Sequence, residues 1–108
     1  MDNIDKDFEK VFGGKDTIIF EMGQPGKGEE FYLNIYKNVE GEPEKTETLY
    51  EFKTMAPGIF ERKVIKQYTN FREQYKDCNF KGIAIDKSYN KERDLFELNL
   101  YDLINLIN

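Results

Sequence analysis

At 108 residues, 39% of them hydrophobic and 15% aromatic, the chain has the length and apolar content of one self-supporting domain, and it is too apolar for a disordered segment. A net charge of -5 argues against a protein that coats nucleic acid, because phosphate binding draws its affinity from Lys and Arg. The single cysteine, Cys78, excludes an internal disulfide, and the absence of histidine excludes Ser–His and Cys–His nucleophile pairs and any His-ligated metal.

In chain order, Ile4, Phe8, Val11 and Phe12 fall on one apolar stripe, which predicts a short N-terminal helix capped by Asp2 or Asn3 and stopped by Gly13-Gly14. Thr17 to Met22 alternates as a strand, with Ile18, Phe20 and Met22 on one face. Residues 23–28, Gly-Gln-Pro-Gly-Lys-Gly, form a turn by composition. They lack the spacing of a phosphate-binding loop and lead into a strand, not a helix. Phe31 to Lys37 completes a hairpin, with Tyr32, Asn34 and Tyr36 on its polar face. An acidic connection, Asn38 to Lys45, precedes a third strand from about Thr48 to Met55, in which Tyr50 and Phe52 face one way and Leu49, Glu51 and Lys53 the other.

Phe60, Val64, Tyr68, Phe71, Tyr75 and Cys78 then recur at helix period, which predicts a long helix over about 59–77 with Cys78 on its apolar stripe. Phe80 to Asp86 reads as a strand with Gly82 and Ala84 on one face. The C-terminus fits both periods; a strand to about Leu100 followed by a short helix is favoured. The expected fold is α+β, a single domain over residues 1–108: a mostly antiparallel sheet of four or five strands packed against the long helix, plus the short N-terminal helix.

Residues 1–7 are acidic and polar, without the basic and apolar regions of a signal peptide, and no apolar run approaches the ~20 residues that span a bilayer. A cytoplasmic protein with no membrane contact and no cofactor is expected.

Charge is unevenly spread. From Glu29 to Glu51 seven acidic residues face two lysines, a local excess of five. From Ile59 to Lys76, Arg62, Lys63, Lys66, Arg72 and Lys76 outnumber Glu61 and Glu73. An extended chain would point Glu40, Glu42 and Glu44 to one side at ~6.6 Å spacing. With Glu29, Glu30 and Glu47, and with Tyr32 and Tyr36 beside them, this acidic hairpin edge is expected to bind a protein partner that carries a basic surface. The function expected is that of a small inhibitor, in the manner of the immunity and anti-defence proteins that phages and other mobile elements encode. The same run of glutamates also reads as a solvated loop that protects a sheet edge. Direct nucleic-acid binding is not expected, and association of two copies remains open.

Glu51-Phe52-Lys53 places a carboxylate and an amine on one face of a strand. In its position after two strands and before a helix it resembles part of the PD-(D/E)xK nuclease core, whose order is α-β-β-β-α-β. The resemblance implies a divalent metal held by Glu51 and by an acidic residue of the preceding strand, with Lys53 positioning or activating water. The chain departs from that pattern at Asn34, which occupies the polar face of the second strand where the acid belongs, while Glu30 lies at the strand's start. One carboxylate holds magnesium poorly. The alternatives to a catalytic Glu51 and Lys53 are a degraded member of that family and a plain surface pair worth about a few tenths of a kcal/mol.

Overall fold

The computed structural model describes residues 16–39, 42, 45–85, 92–95 and 97–107. The elements run β1 (Thr17–Gly23), β2 (Phe31–Asn38), β3 (Thr46–Thr54), α1 (Pro57–Gln74), β4 (Asn79–Ile85), β5 (Glu92–Leu95) and α2 (Leu100–Ile107). The strands form one five-stranded sheet in the order β3-β2-β1-β4-β5. Three pairings are antiparallel, and β4 returns through α1 to lie parallel to β1. The α+β architecture and the long helix therefore agree with the sequence reading; the expected N-terminal helix falls outside the described residues.

Period-two alternation assigns the two sheet faces. Ile18, Phe20 and Met22 of β1 stand beside Leu33 and Ile35 of β2 and beside Phe80, Gly82 and Ala84 of β4, and all are buried. Across from them α1 lays down Phe60, Val64, Tyr68 and Phe71, also buried. Phe20 is the centre of this core, with edge-on contacts to Tyr68 and Phe71 and a tilted one to Phe80 at centroid distances of 6.0, 6.3 and 6.4 Å. Each such ring taken from water contributes roughly 1.5–3 kcal/mol.

The β1–β2 connection closes on a backbone hydrogen bond from Glu29 to Gly26, 3.1 Å. Gly28 sits at φ +84°, a left-handed conformation that an L side chain rarely adopts. Helix α1 begins two residues before its expected start because Pro57 suits the first turn, where no N–H partner is needed. It ends at Gln74, earlier than expected. Cys78 thus lies beyond the helix, in a turn where its N–H donates to Tyr75 O; it still packs, half-buried, against the core. At the C-terminus the strand stops at Leu95 and the helix starts at Leu100. Asn99 sets that start: its Oδ1 accepts the Asp102 N–H at 2.9 Å and its Nδ2 donates to Asp102 Oδ2 at 2.8 Å. Leu98 and Leu103 anchor this segment in the core, and the Tyr68 hydroxyl donates to Leu98 O at 3.0 Å.

One facing is corrected. Leu49 was expected on the side of Glu51 and Lys53, but it packs against the core beside Tyr50. The cause is a shift of register: Ile35 pairs with Tyr50 and Tyr36 with Thr48, so Leu49 is an extra residue that the bulge turns inward.

Candidate functional site

With α1 on the inner face, the alternate residues of β1, β2 and β3 make an outer face that no described helix covers. Its central row runs across three strands: Glu21 of β1 is registered with Asn34 of β2, and Asn34 with Glu51 of β3. Asn34 Nδ2 donates to Glu21 Oε1 at 3.4 Å, and the Tyr36 hydroxyl donates to the same oxygen at 3.3 Å. Partial burial, first, and then the charge and hydrogen bond of Glu21 raise the Tyr36 phenol above its ordinary range; Glu51 adds a smaller push in the same direction.

One step toward the β1–β2 turn, Tyr32 is registered with Lys53. Here the outer face opens into a groove of ≈ 590 Å³ bordered by Glu29, Glu30, Tyr32, Asn34, Lys53 and Met55. The Gly-Pro-rich turn forms its rim, and Gln24 Nε2 fixes that rim by donating to Glu29 O at 2.7 Å. Glu29 and Glu30 are exposed.

The structure divides the acidic edge expected from the sequence. Glu29 and Glu30 precede β2, whereas Glu42 follows it, so the two groups are separated by seven residue rises, about 23 Å. Glu42 pairs with Lys45 at 3.0 Å, and Glu47 is registered with Lys37, whose amine approaches Asp16 at 3.7 Å and the Tyr75 ring at 5.9 Å. Lys37 therefore faces the helix side, and Glu47 with it. Glu40 and Glu44 lie outside the described residues. What the fold gathers on one face is Glu29, Glu30, Tyr32 and Tyr36, joined by Glu21, Asn34, Glu51 and Lys53.

Glu21 is the member that sequence reasoning missed. Its signal was present: a lone acid in Thr17–Gly23, out of phase with Ile18, Phe20 and Met22. It stands two strands from Glu51, about 9.6 Å between backbones at the usual strand spacing, with the Asn34 amide between them. Among the described residues no group of three or more Cys, Asp or Glu could hold a metal.

The basic side chains of α1 lie on the other side of the sheet. Arg72 stacks over Phe80 with its guanidinium 4.8 Å from the ring centroid, and Lys63 lies 5.2 Å from that of Phe52. Arg62 and Lys66 are exposed to solvent, as is Lys76 just past the end of α1. None of Glu29, Glu30, Glu47 and Glu51 lies within ion-pair distance of a described cation. No described helix is long and apolar enough to cross a membrane. Comparison with protein-family models, with curated proteins and with solved structures finds no match.

Proposed function

We propose that this chain is a non-enzymatic interaction domain that binds a basic segment of a protein partner in the groove between the β1–β2 turn and β3, and so blocks that segment from its normal contacts, as an inhibitor or immunity-type protein does. The observation that supports the reading most directly is a charge separation. Glu29 and Glu30 border the groove unpaired by described cations, with Lys53 on its opposite wall beyond ion-pair distance, while the cations of α1 are held on the other side of the sheet. A volume of ≈ 590 Å³ admits one or two long side chains. Tyr32 supplies a rigid contact surface, and its ring can receive a guanidinium in the way that Phe80 receives Arg72 within the fold. The acids would meet the positive head, and Asn34 would offer an amide oxygen once its amine is committed to Glu21. Tyr36 and Glu51, farther along the face, extend the contact, and Glu42 at the far end serves a long partner only; Glu47, turned to the helix side with Lys37, takes no part.

The test is a titration of the labelled protein with arginine-rich and lysine-rich peptides, followed by amide chemical shifts. Saturable shifts at Glu29, Glu30 and Tyr32 are expected, weakened by salt and removed by reversing both glutamates with Glu29→Lys and Glu30→Lys. Shifts centred on α1, or binding indifferent to the double reversal, would sink the proposal.

A further inference from the structure

The Glu51-Phe52-Lys53 segment occupies a position of its own: β3 is an edge strand, hydrogen-bonded to β2 on one side, with no described strand on the other. A free edge presents unpaired N–H and C=O groups, a ready template for another strand. The bulge at Leu49 breaks the regular pattern there, which leaves Tyr50–Thr54 as the regular stretch available for pairing.

We infer that two copies of this chain associate through the β3 edges, antiparallel and two-fold symmetric about Phe52, to form one continuous ten-stranded sheet. The register follows from charge and from facing. Only pairings centred on a residue, not between residues, keep inner side chains opposite inner ones. A centre at Glu51 sets Glu51 against its own copy, and a centre at Lys53 sets two lysines face to face. A centre at Phe52 places Glu51 opposite Lys53 of the second copy twice over on the outer face, with Phe52 against Phe52 and Tyr50 against Thr54 on the inner face. Both charged side chains are exposed, and neither has a described partner within its own chain. Opposed residues on adjacent strands stand with Cβ atoms about 4.5–5.5 Å apart, within reach of an ion pair and of ring contact.

The flank of this edge is apolar. Lys63 lies over Phe52, so the helix face that carries Ile59 one turn earlier runs along β3. Ile59 is 43% exposed and Met55, just past the end of the strand, 58%. Both are large hydrophobic side chains that a second copy at this edge would cover. The sequence is thus self-complementary in charge and apolar at its border, which is what an isologous contact requires.

Sedimentation equilibrium across a wide concentration range tests this directly, with circular dichroism to show that each exposed-site variant remains folded. The wild type is expected to dimerise reversibly. Glu51→Lys alone sets two lysines opposite each other, and Lys53→Glu alone sets two glutamates opposite each other. Each is expected to weaken the dimer by about tenfold or more, because two attractive pairs become two repulsive ones. The charge-swapped double variant, Glu51→Lys with Lys53→Glu, restores the complementarity and should restore the dimer. A wild type that stays monomeric at every concentration overturns the inference, as does a dimer that ignores the single reversals or is not recovered in the swap.

Discussion

On the inner face of the sheet Phe20 has no solvent exposure and lies among Tyr68, Phe71 and Phe80; one residue along the same strand, Glu21 faces outward, half-buried, and accepts hydrogen bonds from Asn34 and Tyr36. The strand is shared, and the backbone hydrogen bonds are shared, so the contrast isolates what the side chains contribute. Inward residues interlock with α1 and carry the free energy of folding; outward residues are held in position by that scaffold and carry little of it. A face that contributes little to stability is free to vary, and it is where charge, tyrosine and a groove can be placed for recognition.

The widest gap between the faces should appear on truncation. Phe20→Ala removes a ring from the centre of the core and is expected to cost about 3–5 kcal/mol, read as a lower urea midpoint with little change in slope. Tyr32→Ala, at an outer position of the neighbouring strand, should cost about 1 kcal/mol or less. Equal losses at the two sites would break the comparison, because they would show that the outer face is packed against something as firmly as the inner one.

A smaller effect separates packing from polarity within the inner face. Tyr68 is mostly buried, and its hydroxyl holds Leu98 O, the backbone group just before α2. Tyr68→Phe keeps the ring and leaves that carbonyl without its partner, at an expected cost of about 1–2 kcal/mol. The loss should be local, with faster amide exchange in Leu100–Ile107 and unchanged exchange in β1 and β2. Uniform loosening of the sheet would show that the hydroxyl supports the whole core and not the docking of one helix.

These elements differ in how plainly the sequence announces them. The inner face is legible because burial enforces strict periods: Ile18, Phe20 and Met22 every second residue, Phe60, Val64, Tyr68 and Phe71 every three or four. The N-cap at Asn99 follows a local rule as well, although the overlapping strand and helix patterns of the C-terminus hide it. Leu49 was misplaced because a bulge is a property of two strands pairing, and nothing within Thr46–Thr54 alone announces the extra residue. The acidic edge is one run in the sequence and separate groups in the fold for a related reason. Glu29, Glu30, Glu42 and Glu47 are neighbours in sequence, but a strand of eight residues stands between the pairs and Glu47 turns to the helix side with Lys37. Glu21 joins the face only through register, since its companions Asn34 and Tyr36 sit on β2, thirteen and fifteen residues away in the chain.

The smallest effect tests the outer face by pH. The Tyr36 phenol is pushed above its ordinary value by partial burial and by the Glu21 carboxylate, so the folded chain holds that proton after the unfolded chain has released it. A group with a raised folded-state pKa contributes its stability in full below the unfolded value, about 10 for tyrosine, and loses it as pH climbs through the folded value. Wild-type stability should therefore fall more steeply than that of Tyr36→Phe as the pH climbs above ~10. At neutral pH the variant should be no more than about 1 kcal/mol less stable, since the lost hydrogen bond is long and partly exposed. As the pH rises the wild type's advantage should shrink and then vanish, since a phenolate beside Glu21 repels where the phenol donated. Urea denaturation of the two proteins at a series of alkaline pH values reads this difference directly. Parallel stability curves across that range would mean that Glu21 and Tyr36 do not sense one another, and the outer face would then be a set of independent solvated side chains instead of a connected polar surface.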